Sequence, residues 1–460
     1  MVPMLRKTRN IASTGNQFLF ALGSAGFNLM ERMIVLYVPF FFLPPAESGM
    51  SGLVPQHRFL GIATVLGLAL VVGRVFDAVA DPAIALLSDR SQSPIGRRKL
   101  FLYYSAVPLA LFGALVFFPP FPARTSTLNG VWLGMSLALF YIAYTGYANP
   151  YFAVISDLGQ TEELRLKLSL RVAVLGLVAT LAVTAGIPEL VHWLGAARGL
   201  QLRQAYQSSV AIIAAAALVL MYAATHGFSE LRLPTGQRTE TVGAWESFVS
   251  TFSDRTFRTY VLGEMFLQFA VNVLTMGLLY YIVVIFRRPQ SFMTVLAGAT
   301  ALLAACVFPL VGRSALRFGK RNVFMAGLGI MLLCSLSLFG LSFGMDGFRQ
   351  QLGIVALACM GIPLAIFAIL IGPTVAQMAR RHTARTGVAK EAMFFAARAF
   401  PVKFVIAGAG ATFSYLLSAF GKDIVRPLGV QLSLLAVALS SLCALVVFSR
   451  LPDDRDEMKH

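Results

Sequence analysis

The chain has 460 residues, 57% hydrophobic and 13% charged, with mean hydropathy +0.73 and a formal net charge of +17. That composition excludes a soluble domain folded around one core and fits a chain solvated by lipid. The excess cations sit in short loops between apolar spans, which argues against nucleic acid as their partner and for a membrane protein with basic loops on one side.

The first apolar span runs from about residue 17 to 43, behind Arg6, Lys7 and Arg9. It is too long for the apolar core of a cleaved signal and is expected to stay as the first helix. Glu31 and Arg32 lie inside it, as a local ion pair or as part of a cavity wall. The second span, 59–88, carries Arg74, Asp77 and Asp81 at i, i+3 and i+7, which puts all three on one helix face. A carboxylate at bilayer depth is costly unless paired or hydrated, so this face is a functional-site candidate. A small hard cation wants several oxygen ligands, and two carboxylates one turn apart supply them. The adjacent arginine can occupy the same carboxylates when the ion leaves. The competing reading is a purely structural Arg74–Asp77–Asp81 ion cluster.

Spans at 100–119, 130–156, 167–191 and 206–226 complete a first set of six. The polar stretch 227–255, with Pro234, Gly236 and mixed charges, is predicted as a cytoplasmic linker between an N-terminal half (1–226) and a C-terminal half (256–460). The second set follows at 256–286, 291–312, 322–343, 350–379, 393–420 and 427–449. Backbone polar groups cannot face lipid unpaired, so all twelve spans are predicted as helices. In the seventh, Glu264, Gln268 and Asn272 recur at i, i+4 and i+8, a polar stripe expected to line a cavity.

Charge placement predicts the orientation. With both termini in the cytoplasm, the tails and loops on that side hold 24 Lys and Arg residues and the opposite loops nine. The remaining five, Arg32, Arg74, Arg171, Arg398 and Lys403, lie inside or at the edge of spans. The halves also echo each other. Arg90 is followed seven residues later by Arg97–Arg98 behind Gly96, and Arg313 by Lys320–Arg321 behind Gly319. Matching loop signatures point to internal duplication, as in transporters with repeated halves. Cys306, Cys334, Cys359 and Cys443 fall in apolar spans without metal-ligand spacing and are expected to be buried thiols. No GxSxG, GxxxxGK[ST], HExxH or CxxC motif occurs, so no enzyme and no cofactor is expected.

The run Arg74-Val-Phe-Asp77-Ala-Val-Ala-Asp81-Pro82, continuing through Ser88-Asp89-Arg90 to Gly96-Arg97-Arg98, resembles the signature of the glycoside–pentoside–hexuronide:cation symporters of the major facilitator superfamily. Three further segments resemble the same family: Asn149-Pro150-Tyr151 with the acidic loop Thr161-Glu162-Glu163, Asp254-Arg255-Thr256-Phe257-Arg258, and Gly387 to Phe395 with Lys390 and Glu391. The resemblance implies an all-α membrane protein of twelve transmembrane helices in two six-helix halves, the major facilitator fold. It implies that Asp77 and Asp81 bind a coupling cation, Na+ or H+. It places Arg171 and Lys403 near a central cavity and makes Asp89, Arg90, Arg97 and Arg98 a cytoplasmic gate held by salt bridges. Where the family has an asparagine just before the second aspartate, this chain has Ala80. Where it has sugar-binding aspartates, this chain has Ser24 and Ala148.

The expected function is therefore cation-coupled symport of a sugar or glycoside-like solute in the plasma (inner) membrane, by a monomer working through alternating access. Its partners would be a small-molecule substrate, a monovalent cation and the lipid bilayer. A neutral cavity could hold a sugar through Arg171, Lys403, Gln268 and Asn272 with aromatic faces such as Tyr144 and Tyr151. A carrier of lysolipid or another amphipathic solute is the alternative, with phenylalanines such as Phe394 and Phe395 lining an apolar cleft. A non-transporting receptor or scaffold is the second alternative.

Overall fold

A computed structural model of the chain describes residues 14–452 except 60, 62, 159–161, 227–250, 345 and 387–390. Arg6, Lys7 and Arg9, most of the predicted linker, Lys390 and the C-terminal tail therefore lie outside the described residues, as do the side chains of Asp89, Glu162, Glu163, Arg165 and Glu391. Two compact units divide the chain, Met1–Gln237 and Arg238–His460.

In the first unit, α1 (Thr14–Phe42), α2 (Val65–Arg90), α3 (Arg97–Leu115), α4 (Thr127–Leu158), α5 (Glu162–Arg198) and α6 (Leu202–His226) follow in order. α2 packs most extensively on α4, while α1 packs on α5 and α6. In the second unit, α7 (Arg255–Tyr280) continues through a wider turn at Tyr281–Ile285. Then come α8 (Phe292–Phe318), α9 (Lys320–Leu341), α10 (Gly347–Cys359), α11 (Gly361–Thr386), α12 (Glu391–Phe420) and α13 (Leu428–Phe448). α7 packs on α13 and α12, α9 on α13, and α8 on α11.

Ten segments among the described residues are long and apolar enough to cross a membrane. Helices α2 and α3 complete the twelve. They miss that threshold because α2 holds Arg74, Asp77 and Asp81 and α3 opens on Arg97–Arg98–Lys99. Many large apolar side chains on these helices are exposed, among them Leu302, Leu333 and Val219. In water that surface would be a liability; in lipid it is the solvated face.

Three expectations need correction. The second span starts at Val65, since Arg58–Phe59 (β1) pairs antiparallel with Ala63–Thr64 (β2) ahead of it. Thr64 then caps α2, its Oγ1 accepting from the Gly67 amide at 3.0 Å. The tenth span is two helices, α10 and α11, broken at Met360. Pro363 has no amide to give the Cys359 carbonyl, so the ladder is interrupted there. Gly361 sits so close to α8 that a Cβ would lie 2.5 Å from the Thr300 carbonyl oxygen. The four cysteines are free thiols, but Cys306 and Cys443 are exposed on helix surfaces, not buried.

Candidate functional site

The face of α2 that carries Arg74, Asp77 and Asp81 meets a matching face of α4. Tyr141, Thr145 and Asn149 recur there at four-residue steps, so the two helices pair rung by rung. Close approach is possible because Gly73 has no side chain; a Cβ there would lie 2.9 Å from the Leu137 Cβ. At the first rung the Arg74 guanidinium lies over the Tyr141 ring, 4.3 Å from its centroid. At the second, Thr145 Oγ1 donates to Asp77 Oδ1 at 2.9 Å. The same hydroxyl lies 3.3 Å from Asp81 Oδ1, and Asn149 Nδ2 donates to that oxygen at 3.1 Å. Thr145 and Asn149 thus converge on the carboxylate pair.

A second layer balances charge. Arg74 Nη1 binds Asp77 Oδ2 and its Nη2 binds Glu31 Oε1 from α1, both at 3.3 Å. Arg32 Nε lies 3.7 Å from Glu31 Oε2. Asp77 and Arg74 are buried, at 1% and 8% exposure, while Asp81 is half-buried. Three carboxylates, Glu31, Asp77 and Asp81, therefore share two guanidiniums. Together these five side chains carry three formal negative and two formal positive charges, a net of one negative charge.

The helices carry a further feature here. Asp81 and Asn149 each precede a proline, Pro82 and Pro150. Each proline removes the amide that would otherwise bond the carbonyl four residues back, at Ala78 and Gly146. Neither Thr145 nor Asn149 stood out as a ligand in the sequence. The Asn–Pro pair inside an apolar span was the available signal.

The predicted cavity residues separate into groups. Arg171 on α5 is half-buried and donates to Gln17 Oε1 on α1. Tyr151 is fully buried, its ring stacked on Phe20 at 4.5 Å and its hydroxyl donating to the Phe20 carbonyl at 2.9 Å. It packs the α1–α4 contact. Tyr144 is half-buried and meets Phe27 edge-on at 5.8 Å. In the second unit Glu264 is fully buried and held by Arg398 of α12, with Nε 2.7 and 2.6 Å from its two carboxylate oxygens. That end of the polar stripe is an interhelical ion pair, not a cavity lining. Gln268 and Lys403 are half-buried, and Asn272 Nδ2 donates to the Gln268 carbonyl at 2.8 Å.

The positions expected to lack sugar-binding carboxylates are closed. Ser24 is fully buried and its Oγ donates to the Ala21 and Val172 carbonyls at 2.8 and 2.9 Å, joining α1 to α5. Ala148 is buried as well. Of the gate residues, Arg98 is buried and donates to the Ala153 carbonyl of α4, whereas Arg90 is exposed and Arg97 half-exposed. The Arg98 bond joins the start of α3 to α4 within the first unit.

Residues 19–449 match the family model described as MFS/sugar transport protein. The isoprimeverose transporter of Lactiplantibacillus pentosus is 22% identical over 424 residues, covering 90% of this chain and 82% of that protein. The uncharacterized symporter sll1374 of Synechocystis sp. is 28% identical over 185 residues, 37% of this chain and only 31% of that relative's length. The crystal structure of the nucleoside transporter NupG superposes with a TM-score of 0.64 at 12% identity, over 95% of this chain and 99% of its own. At that identity the likeness shows the fold alone, which is the major facilitator fold.

Proposed function

The chain belongs to the MFS/sugar transport family, and from that membership we propose that it is a cation-coupled symporter of a sugar or glycoside-like solute. Relatives named as symporters and as an isoprimeverose transporter support the substrate class and the coupling. The chain carries this activity as a multi-pass protein of the plasma membrane, with both termini cytoplasmic by the loop charge asymmetry.

One observation carries the coupling assignment: Asp77 and Asp81, one helical turn apart on α2, converge on the Thr145 hydroxyl of α4. Asp77 and Asp81 are the anionic ligands, and the Thr145 hydroxyl and Asn149 amide are neutral ones. A Na+ ion would sit between the Asp77 and Asp81 Oδ1 atoms, where Thr145 Oγ1 now bridges them. The hydroxyl would turn its lone pairs to the ion, and Asn149 would rotate its amide to present Oδ1. Without the ion, the Thr145 and Asn149 protons take its place. Arg74, anchored between Glu31 and Asp77, sets the depth of the negative charge. Cation binding neutralises the cluster and lowers the cost of moving it through the occluded state, which makes the conformational step depend on the ion.

The test is uptake in proteoliposomes of purified protein under an imposed Na+ or H+ gradient, with mono- and disaccharides, uronides and lysolipids as substrates. Gradient-driven accumulation of a saccharide, lost in Asp77→Asn and Asp81→Asn, is the expected result. Cation-stimulated uptake of lysolipid with no saccharide response would overturn the substrate class. Normal accumulation by both variants would overturn the cation site.

A further inference from the structure

The basic signature at the end of α8, which the transport reading leaves unused, borders a groove in the second unit. Helices α8, α9 and α11 enclose about 330 Å3 there. Val307, Val311, Ser314 and Phe318 line it from α8, with Asn322 from α9 and Ile366 from α11. These α8 positions recur at three- and four-residue steps, so one stripe of the helix forms the wall down to its last residue. From Val307 to Phe318 the stripe is ~16 Å long at the rise of an α-helix. That matches one leaflet, about half of a ~30 Å hydrocarbon core. The polar atoms of the groove, on Ser314 and Asn322, lie at the end where the helix leaves the apolar span. The upper part is wholly apolar, as an alkyl chain requires.

Cations gather at that same end. Arg313 and Arg317 are one turn apart on α8 and both exposed, on the helix face beside the groove-lining stripe. The Arg317 guanidinium lies 5.3 Å from the centroid of the Phe318 ring, which itself lines the groove. Lys320 and Arg321 are turned elsewhere, Lys320 to Gln377 and Arg321 to the Ser449 carbonyl. Neither α8 nor α9 contains an aspartate or glutamate, and none occurs between Glu264 and Asp346. The two exposed arginines therefore have no carboxylate on their own helices. α8 is also the least buried of the ten apolar spans.

We propose that this groove binds an anionic phospholipid, with one acyl chain along the Val307–Phe318 stripe and the phosphate at Arg313 and Arg317. An apolar groove alone would take any alkyl chain. The arginine pair makes it selective, because guanidinium binds phosphate through two parallel N–H donors and is charged at any working pH. Basic pockets between transmembrane helices recognise anionic head groups by this combination. The site joins α8, α9 and α11 through the lipid. It accounts for a basic loop signature that is repeated in the C-terminal half without an acidic partner in its own helices.

Native mass spectrometry of the full-length purified protein tests this, with phosphatidylglycerol and phosphatidylcholine of identical acyl chains added in turn. The expected result is at least fivefold greater retention of phosphatidylglycerol. Arg313→Gln with Arg317→Gln should bring its retention down to that of phosphatidylcholine, with the helical circular dichroism unchanged. Ser314→Trp, which fills the groove, should lower retention of phosphatidylglycerol while leaving both arginines in place. Glycerol 3-phosphate should fail to compete, since it lacks the acyl chain. Equal retention of the two lipids by the wild-type protein, or an unchanged preference in the double glutamine variant, would overturn the proposal. Displacement by glycerol 3-phosphate would do the same.

Discussion

Each half of the molecule ties its first span to its fifth through an arginine, and the two ties differ in charge. In the N-terminal half Arg171 on α5 binds the neutral Gln17 on α1. In the C-terminal half Arg398 on α12 binds the buried carboxylate of Glu264 on α7. The other ion pairs of the N-terminal half lie on α1 and α2, where Arg74 binds Glu31 and Asp77 and Arg32 meets Glu31. A one-to-one buried pair is neutral and complete, so it holds helices together and has nothing left for a ligand. The N-terminal cluster differs in that a second carboxylate, Asp81, meets Asp77 through Thr145, and it is there that we propose the coupling cation binds.

The largest effect should come from removing either proposed cation ligand. Asp77→Asn or Asp81→Asn should reduce gradient-driven uptake to background while the purified protein keeps its helical content. If either variant accumulates substrate normally, the difference between the halves is not one of coupling. The C-terminal pair should respond in the opposite way. Glu264→Gln or Arg398→Met alone leaves a buried charge without its partner and should cost about 3 kcal/mol of stability, read as a lower melting temperature in detergent. The double variant should recover most of that loss. A C-terminal pair that also bound the coupling ion would instead leave a cation-dependent rise in melting temperature in the Asp77→Asn variant.

A smaller change should sharpen the assignment of α4. Thr145→Val keeps the shape but removes the hydroxyl shared by both aspartates. It should raise the cation concentration for half-maximal uptake about tenfold, the size of one hydrogen bond to a charged group. An unchanged cation dependence would confine the site to α2. The gate loop should separate in the same graded manner. Arg98→Met removes a buried donor to Ala153 and should increase cysteine labelling of the α3–α4 end. Arg90→Gln, at an exposed position, should change labelling by about twofold or less.

Much of this could be read along the chain. The periodicity of Arg74, Asp77 and Asp81 placed them on one helix face because α-helical spacing is local and the surrounding residues are apolar. Their partners could not be read in that way. Thr145 lies 68 residues from Asp77, and hydroxyls are common inside membrane helices, where they bond their own backbone. Glu264 was legible as a buried carboxylate, yet its stripe with Gln268 and Asn272 fitted a cavity wall equally well. Arg398, 134 residues away, decided otherwise. The break at Met360 was signalled by Pro363, but the apolar run continued across it and concealed the lost amide.

The sequence by itself determined the solvent, the number of spans and the costly charges within them, because burial in lipid penalises every unpaired polar group wherever the chain folds. Only the tertiary structure decided which of those charges meet. Ion pairs and ligand shells are formed by contacts between distant helices, and the α2–α4 register set by Gly73 and Leu137 is a property of packing. That register brings Thr145 and Asn149 to Asp77 and Asp81, and it leaves Glu264 to Arg398.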